Sequence, residues 1–218
     1  MDIAKYIDHT LLKPTATWNE IKKICEEAVE YHFAAVCVPP LYIKRVKEIV
    51  EKSNVKAATV IGFPFGYVAI EAKVAEIVLA IVDGADELDM VINISAIKNR
   101  DWNFIANEIN TIIPIIKNKG KVLKVIIESG VLTDDEIIKC CDIYGTAGVD
   151  YVKTSTGYAE KGASVQAVKL IRAHLNDAIK IKASGGIKTY QFAKELIDAG
   201  ADRIGSSSSV QIVKENRE

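Results

Sequence analysis

The sequence predicts an α/β fold, and within that class a (β/α)8 TIM barrel, as a single domain over 1–218 with a short N-terminal extension. Three observations carry the prediction. Val- and Ile-rich runs alternate with helix-period segments at roughly 22 to 36 residues per unit, as parallel βα units do. The apolar runs are nearly continuous, as strands buried on both faces require. About eight such units fit within the chain, the size of a lean barrel of this kind. A doubly wound open sheet is the rival. No GxGxxG or GxxxxGK(S/T) follows the first strand, which weakens it.

The strands are read in order as "IAKYIDHT" (3–10), "AAVCV" (34–38), "KAATVIGF" (56–63), "DELDMVIN" (86–93), "VLKVIIE" (122–128), "DYVKTS" (150–155), "IKIKASGG" (179–186) and "ADRIGSS" (201–207). Between them, "WNEIKKICEEAVEYH" (18–32) places Ile21, Ile24, Cys25, Ala28 and Val29 on one stripe, with Lys and Glu opposite. Segments 41–53, 69–84, 103–120, 133–148, 164–175 and 190–200 behave alike. Thr133 with Glu136 forms a capping box. Gly84, Gly120, Gly148 and Gly200 follow helix ends, where a left-handed residue suits glycine. Pro114 is expected to kink its helix or start a new turn.

Composition bounds the function classes. Apolar residues make up 49% of the chain, enough for a sizeable core. The 28 basic and 29 acidic residues nearly cancel, which argues against a general electrostatic grip on nucleic acid. No apolar run is long enough to span a bilayer, and the N-terminus lacks the pattern of a secretory signal. Cys25, Cys37, Cys140 and Cys141 show no metal-ligand spacing with the three histidines. Reduced cysteines in a cytoplasmic protein are the expectation.

Barrel geometry places chemistry at the C-terminal ends of the strands. Those ends carry Asp8, Thr10, Cys37, Asp89, Lys124, Glu128, Lys153, Thr156, Gly157, Lys182, Gly185, Gly186, Gly205, Ser207 and Ser208, among others. Lys153 and Lys182 close the sixth and seventh strands, which neighbour each other. Repulsion between two ammonium groups and burial both lower a lysine pKa. A neutral amine in a pocket attacks carbonyls to form a Schiff base. The alternative is a structural pair bridged by Asp8 or Asp89. Asp89, with apolar neighbours on both sides, is suited to pair with Lys182 and pass protons through a water; otherwise it caps the next helix. "ASGGI" (183–187) and "IGSSSS" (204–209) end strands seven and eight, the usual place for a phosphate cradle. Gly185, Gly186 and Gly205 let backbone N–H groups approach an anion, a helix N-terminus adds its dipole, and Ser207 and Ser208 add donors. Two ordinary turns with a serine cap are the alternative.

These words, with "DHTLLKP" (8–14), "TVIGFPFG" (59–66), "GADELDMVIN" (84–93), "LKVIIE" (123–128), "AGVDYVKTSTGY" (147–158), "KASGGIKT" (182–189) and "AGADRIGSSS" (199–208), resemble the deoxyribose-phosphate aldolase family in order across almost the whole chain. The resemblance implies reversible cleavage of 2-deoxy-D-ribose 5-phosphate to acetaldehyde and D-glyceraldehyde 3-phosphate, in deoxyribose phosphate catabolism, with neither metal nor cofactor. By the motif match, Lys153 looks like the Schiff-base lysine and Lys182 like the lysine that depresses its pKa. Asp89 looks like the general acid/base, with Asp8 in the supporting proton network. Thr10, Cys37, Thr156 and Gly157 join the glycines and serines as substrate contacts.

The chain departs from the family pattern in four places. Pro39 stands where Asn or a larger polar residue is expected, "GSSSS" replaces Gly-Thr-Ser-Ser, and Lys188 stands where Arg is common. The sequence ends in "VKENRE" without the tail tyrosine that some members use in proton transfer. The expected partner is a small phosphosugar, with no nucleic acid or membrane, and the expected assembly is a homo-oligomer, dimer or tetramer. Other readings stay open at this point: a transaldolase-like enzyme sharing the Schiff base, a phosphosugar isomerase with a carboxylate base, and a non-catalytic sugar-phosphate binder.

Overall fold

Eight parallel strands close into a barrel in chain order, each hydrogen-bonded to the next and the last to the first. The computed structural model describes residues 1–216. The strands are β1 (Ile7–Thr10), β2 (Ala35–Val38), β3 (Lys56–Ile61), β4 (Glu87–Val91), β5 (Val122–Ile126), β6 (Tyr151–Lys153), β7 (Lys180–Ser184) and β8 (Arg203–Ser206). The helices around them are α1 (Trp18–Glu30), α2 (Ile43–Val50), α3 (Ile70–Val82), α4 (Ile94–Lys98), α5 (Trp102–Lys117), α6 (Asp134–Ala147), α7 (Val165–His174), α8 (Tyr190–Asp198) and α9 (Ser209–Glu215).

The apolar runs become strands because they are buried on both faces, with successive side chains alternating between the helical layer and the barrel interior. Val36, Val38, Leu88, Met90, Leu123, Val125, Ile181 and Ile204 belong to the large core beneath the helices. The residues between them point inward. On β2 and β3 these are Ala35, Cys37, Ala58 and Val60, a small apolar cluster of their own. On β1 and on β4 to β8 they include seven charged side chains, Asp8, Glu87, Asp89, Lys124, Lys153, Lys182 and Arg203. One side of the interior is therefore filled with ion pairs rather than with the branched aliphatic layers usual in such barrels.

Three expectations change. Residues 3–10 are not one strand: Ile3–Tyr6 form a 3-10 turn, and only Ile7–Thr10 pair. Ile3 and Ala4 are buried there, so the extension is packed into the core. Of the two outcomes expected at Pro114, it starts no new helix: α5 runs through it from Trp102 to Lys117. Pro114 is exposed, so water can satisfy the carbonyl that loses its amide partner. The loop after β4 contains an unforeseen helix, α4, capped by Asn93, whose side chain accepts from the Ala96 N–H. The capping box of Thr133 and Glu136 opens α6, and a second, of Thr17 and Glu20, opens α1. Of the "VKENRE" ending, Arg217 and Glu218 lie outside the described residues.

Candidate active site

Lys153 and Lys182 are direct neighbours in the β6–β7 register. Both are buried, Lys153 at 2% exposure and Lys182 at 0%. Their ammonium groups meet on one atom. Lys153 Nζ donates to Asp89 Oδ2 at 2.8 Å, and Lys182 Nζ donates to the same oxygen at 2.7 Å. Lys182 also donates to Asp8 Oδ2. Lys124, paired in register with Asp89 on the adjacent strand, donates to Asp89 Oδ1 at 2.8 Å. Its ammonium also pairs with Glu87. Arg203 completes the set, with Nη1 donating to Asp8 Oδ1 at 2.6 Å.

The two lysines are close, and Asp89 bridges them as the structural alternative expects. Charged groups this deep persist only when paired, and each carboxylate here holds at least two cations. Asp89 and Asp8 are held well below the usual carboxylate range, because the surrounding cations outweigh burial. Burial also works against the charge on Lys124 and Lys182. There the adjacent carboxylates outweigh it, and both ammonium groups are held above the ordinary lysine value. Lys153 goes the other way. Burial is the largest influence and pushes it below the ordinary value; Asp89 opposes this, and repulsion from Lys182 adds to it. Cys37 is pushed up to about 11, mainly by burial, so its thiol is neutral.

Lys153 forms part of the wall of a cleft of about 430 Å3 at the C-terminal ends of the strands. Gly185, Gly186, Gly205, Ser206 and Ser207 also line it, together with Lys13 and Lys188. Gly185 sits at φ +90°, and a Cβ there would lie 3.0 Å from Gly162 Cα. Close packing of these backbones brings the loops after β6 and β7 together. Gly205 has a different reason. A Cβ there would lie 3.0 Å from Ser184 Cβ and 3.1 Å from Lys182 Cε, so the glycine leaves room for the neighbouring strand, the lysine stem included. Glu128 is buried in the left-handed region at φ 52° and accepts from the Thr156 N–H and hydroxyl. Burial pushes its carboxyl above the usual range. Thr156 lines the cleft, so Glu128 braces one wall.

Of the residues singled out from sequence, Thr10, Lys153, Thr156, Gly157, Gly185, Gly186, Gly205 and Ser207 reach the cleft. Asp8, Asp89 and Lys182 are fully buried and do not line it. Cys37 is buried in the apolar side of the interior and is not on the cleft wall. Ser208 faces a neighbouring depression with His9 and Glu27. The helix that follows, α9, has only seven residues, too short to add much dipole to an anion site. Asp89 does not cap a helix. The sequence reading missed Glu87 and Arg203, and passed over Lys124 and the cleft residues Lys13 and Tyr158.

A family model described as DeoC/LacD family aldolase matches residues 3–211. A relative from Caldanaerobacter subterraneus subsp. tengcongensis, named deoxyribose-phosphate aldolase, is 50% identical over 216 residues, covering 99% of this chain and 94% of its own. One of the same name from Thermococcus gammatolerans is 50% identical over 216 residues, covering 98% and 96%. Among solved structures, the deoxyribose phosphate aldolase of Aeropyrum pernix superposes with a TM-score of 0.91 at 34% identity, covering 99% of this chain and 91% of its own. Its structure is described as a unique tetramer.

Proposed function

The chain belongs to the DeoC/LacD family of aldolases, and on that premise we propose that it is a class I aldolase acting through a Schiff base on Lys153. The reaction is the reversible cleavage of 2-deoxy-D-ribose 5-phosphate to acetaldehyde and D-glyceraldehyde 3-phosphate, a step of deoxyribose phosphate catabolism. The relatives' shared name supports the substrate. The observation that carries the chemistry is the position of Lys153: a buried amine with a lowered pKa on the wall of a cleft.

The neutral amine of Lys153 adds to the C1 aldehyde of the open-chain sugar. Loss of water leaves an iminium. The bond that breaks is C2–C3, because the electron sink at C1 takes charge from the adjacent carbon and acetaldehyde carries two carbons. As the C3 hydroxyl loses its proton, the bonding pair moves into the iminium and gives an enamine, and glyceraldehyde 3-phosphate leaves. Protonation at C2 and hydrolysis release acetaldehyde and restore the amine. Asp89 is held strongly ionised, so it is a weak base on its own. Its role in this reading is to share protons with Lys182 and Asp8, reached from the cleft through a water. The phosphate sits among Gly185, Gly186, Gly205 and Ser207, with Lys13 and Lys188 supplying positive charge. Held there, it positions the chain and brings remote binding energy to C1.

The proposal further takes the whole chain as one catalytic domain, working in the cytoplasm as a homo-oligomer. No helix among the described residues is long and apolar enough to cross a membrane. The tetramer described for the Aeropyrum pernix relative supports an oligomer. The direct test is chemical trapping. Incubation with acetaldehyde and borohydride, followed by digestion and peptide mapping, should place a stable two-carbon adduct on Lys153. Labelling confined to any other lysine would overturn the assignment.

A further inference from the structure

We infer that Arg203 and Glu87, at the end of the barrel away from the cleft, are positioning residues that set how readily Lys153 gives up its proton, acting through Asp8 and Lys124. The inference rests on the reading of Lys153 as the Schiff-base lysine. Neither residue lines the cleft. Both border a separate cavity of about 470 Å3 at the N-terminal ends of the strands.

Contacts nevertheless join them to Lys153 without a break. Arg203 holds one oxygen of Asp8 at 2.6 Å, and Lys182 holds the other. Lys182 passes the connection to Asp89 Oδ2, where Lys153 is bound. Glu87 holds Lys124, which holds Asp89 Oδ1. Arg203 also approaches Glu87, with Nη1 at 3.4 Å from Oε2. Both routes converge on Asp89, and none of its three cations is exposed by more than a few per cent.

The ion-paired set contains four cations, Lys124, Lys153, Lys182 and Arg203, against three carboxylates, Asp8, Glu87 and Asp89. Its charge cancels when Lys153 is the free amine. Two titratable groups near Lys153 stand outside it. Cys37 is a neutral thiol facing Lys153 from β2, and Glu128 at the end of β5 is bound to Thr156. At the Arg203 end, Arg203 Nη2 donates to the Tyr151 hydroxyl at 3.3 Å, and Lys180 borders the same cavity with its ammonium 5.7 Å from the Tyr151 ring. With Arg203 neutralised, the set is balanced while Lys153 is protonated, and the amine is freed later. With Glu87 neutralised, the excess of positive charge doubles, and the amine is freed earlier. Two unit charges roughly 10 Å apart at an effective dielectric of about 20 correspond to a displacement of about one pH unit.

The experiment is the pH profile of kcat/KM for retro-aldol cleavage by wild type, Arg203→Met, Arg203→Lys and Glu87→Gln. The acid limb should move up by about one pH unit in Arg203→Met and down by about as much in Glu87→Gln. Arg203→Lys keeps the charge and should restore the wild-type limb. Damage that is only structural would lower the rate without moving the limb, or would move both limbs the same way, and either result overturns the inference. If Arg203→Met does not fold, Glu87→Gln and Arg203→Lys decide between them. An acid shift in Glu87→Gln with an unmoved limb in Arg203→Lys supports the inference; an unmoved limb in Glu87→Gln overturns it. Borohydride trapping on the same wild-type sample separates the two levels. Absence of an adduct on Lys153 removes the functional reading itself, whereas an adduct with unmoved limbs removes this inference alone.

Discussion

Replacing Lys182 with Met tests the electrostatics at Lys153, the proposed reacting amine, most directly. Lys153 and Lys182 donate to the same Asp89 oxygen at 2.8 and 2.7 Å. Two hydrogen bonds on one oxygen at a near-tetrahedral angle put the donor nitrogens roughly 4.5 Å apart. At an effective dielectric of about 20, that repulsion is about 4 kcal/mol. Its removal should raise the Lys153 pKa by about two to three units. Burial still lowers Lys153 in the variant, so its value rises toward that of an ordinary lysine without reaching it, and the neutral fraction near pH 7 falls by up to roughly a hundred- to a thousandfold. The assay is retro-aldol cleavage from pH 6 to 10. Activity of the Lys182→Met protein should be low at pH 7 and climb by about tenfold per pH unit through 8 and 9. Lys153→Met should be inactive at every pH, since no amine remains to form the imine. Removing one partner from a buried ion network costs about 3 to 5 kcal/mol. Circular dichroism must therefore first show the variant folded, which the remaining cations on Asp8 and Asp89 favour. Residual activity that is flat from pH 7 to 9 in a folded variant would refute the electrostatic role and leave Lys182 as a proton relay or a substrate contact.

Three further outcomes are expected. EDTA should leave activity unchanged, because ammonium and guanidinium groups already occupy the interior carboxylates; loss of activity restored by zinc would mean the wrong aldolase chemistry. Gly205→Ala should lower kcat by roughly ten- to a hundredfold in a folded protein, because its Cβ would lie 3.0 Å from Ser184 Cβ and 3.1 Å from Lys182 Cε; an unchanged kcat would mean that this crowding does not displace Lys182. Asp8 and Asp89 have folded-state pKa values held below the ordinary value of 3.8. Their contribution to stability is fully present above 3.8 and is lost as pH falls toward the folded-state values. The urea midpoint should hold from about pH 7 to 5 and drop below about pH 4, more steeply in wild type than in Asp89→Asn; equal slopes would count against the ion network as the source.

Much of the fold is legible because both faces of each strand are covered, which leaves continuous Val- and Ile-rich runs. Lys153, Lys182 and Asp89 are conspicuous for the same reason, as charges inside such runs. Glu87 and Arg203 were harder to see because they begin their strands, where a charge is unremarkable. Strand parity would have found them. Glu87 lies two residues before Asp89, and Arg203 two before Gly205, so each shares the inward face. Lys124 needs one step more, since only the register between strands puts it opposite Asp89. The balance at Lys153 was not legible at all. It depends on burial and on which carboxylate oxygen each cation reaches, and the barrel sets these only when it closes. The same holds for Cys37, whose strand-end position does not reveal that its side chain sits below the cleft.

The interior charges are divided by position along the chain. Asp8 on β1 and Glu87 and Asp89 on β4 are all acidic, and Lys124, Lys153, Lys182 and Arg203 on β5 to β8 are all basic. A half-barrel of the first four strands would enclose three carboxylates and no counter-ion. One made of the last four would enclose four cations and nothing to hold them. Each half repels itself and attracts the other, so partial assemblies are penalised and the complete ring is favoured. The arrangement that lowers the charge on Lys153 thus also favours closure of the whole ring over either half alone.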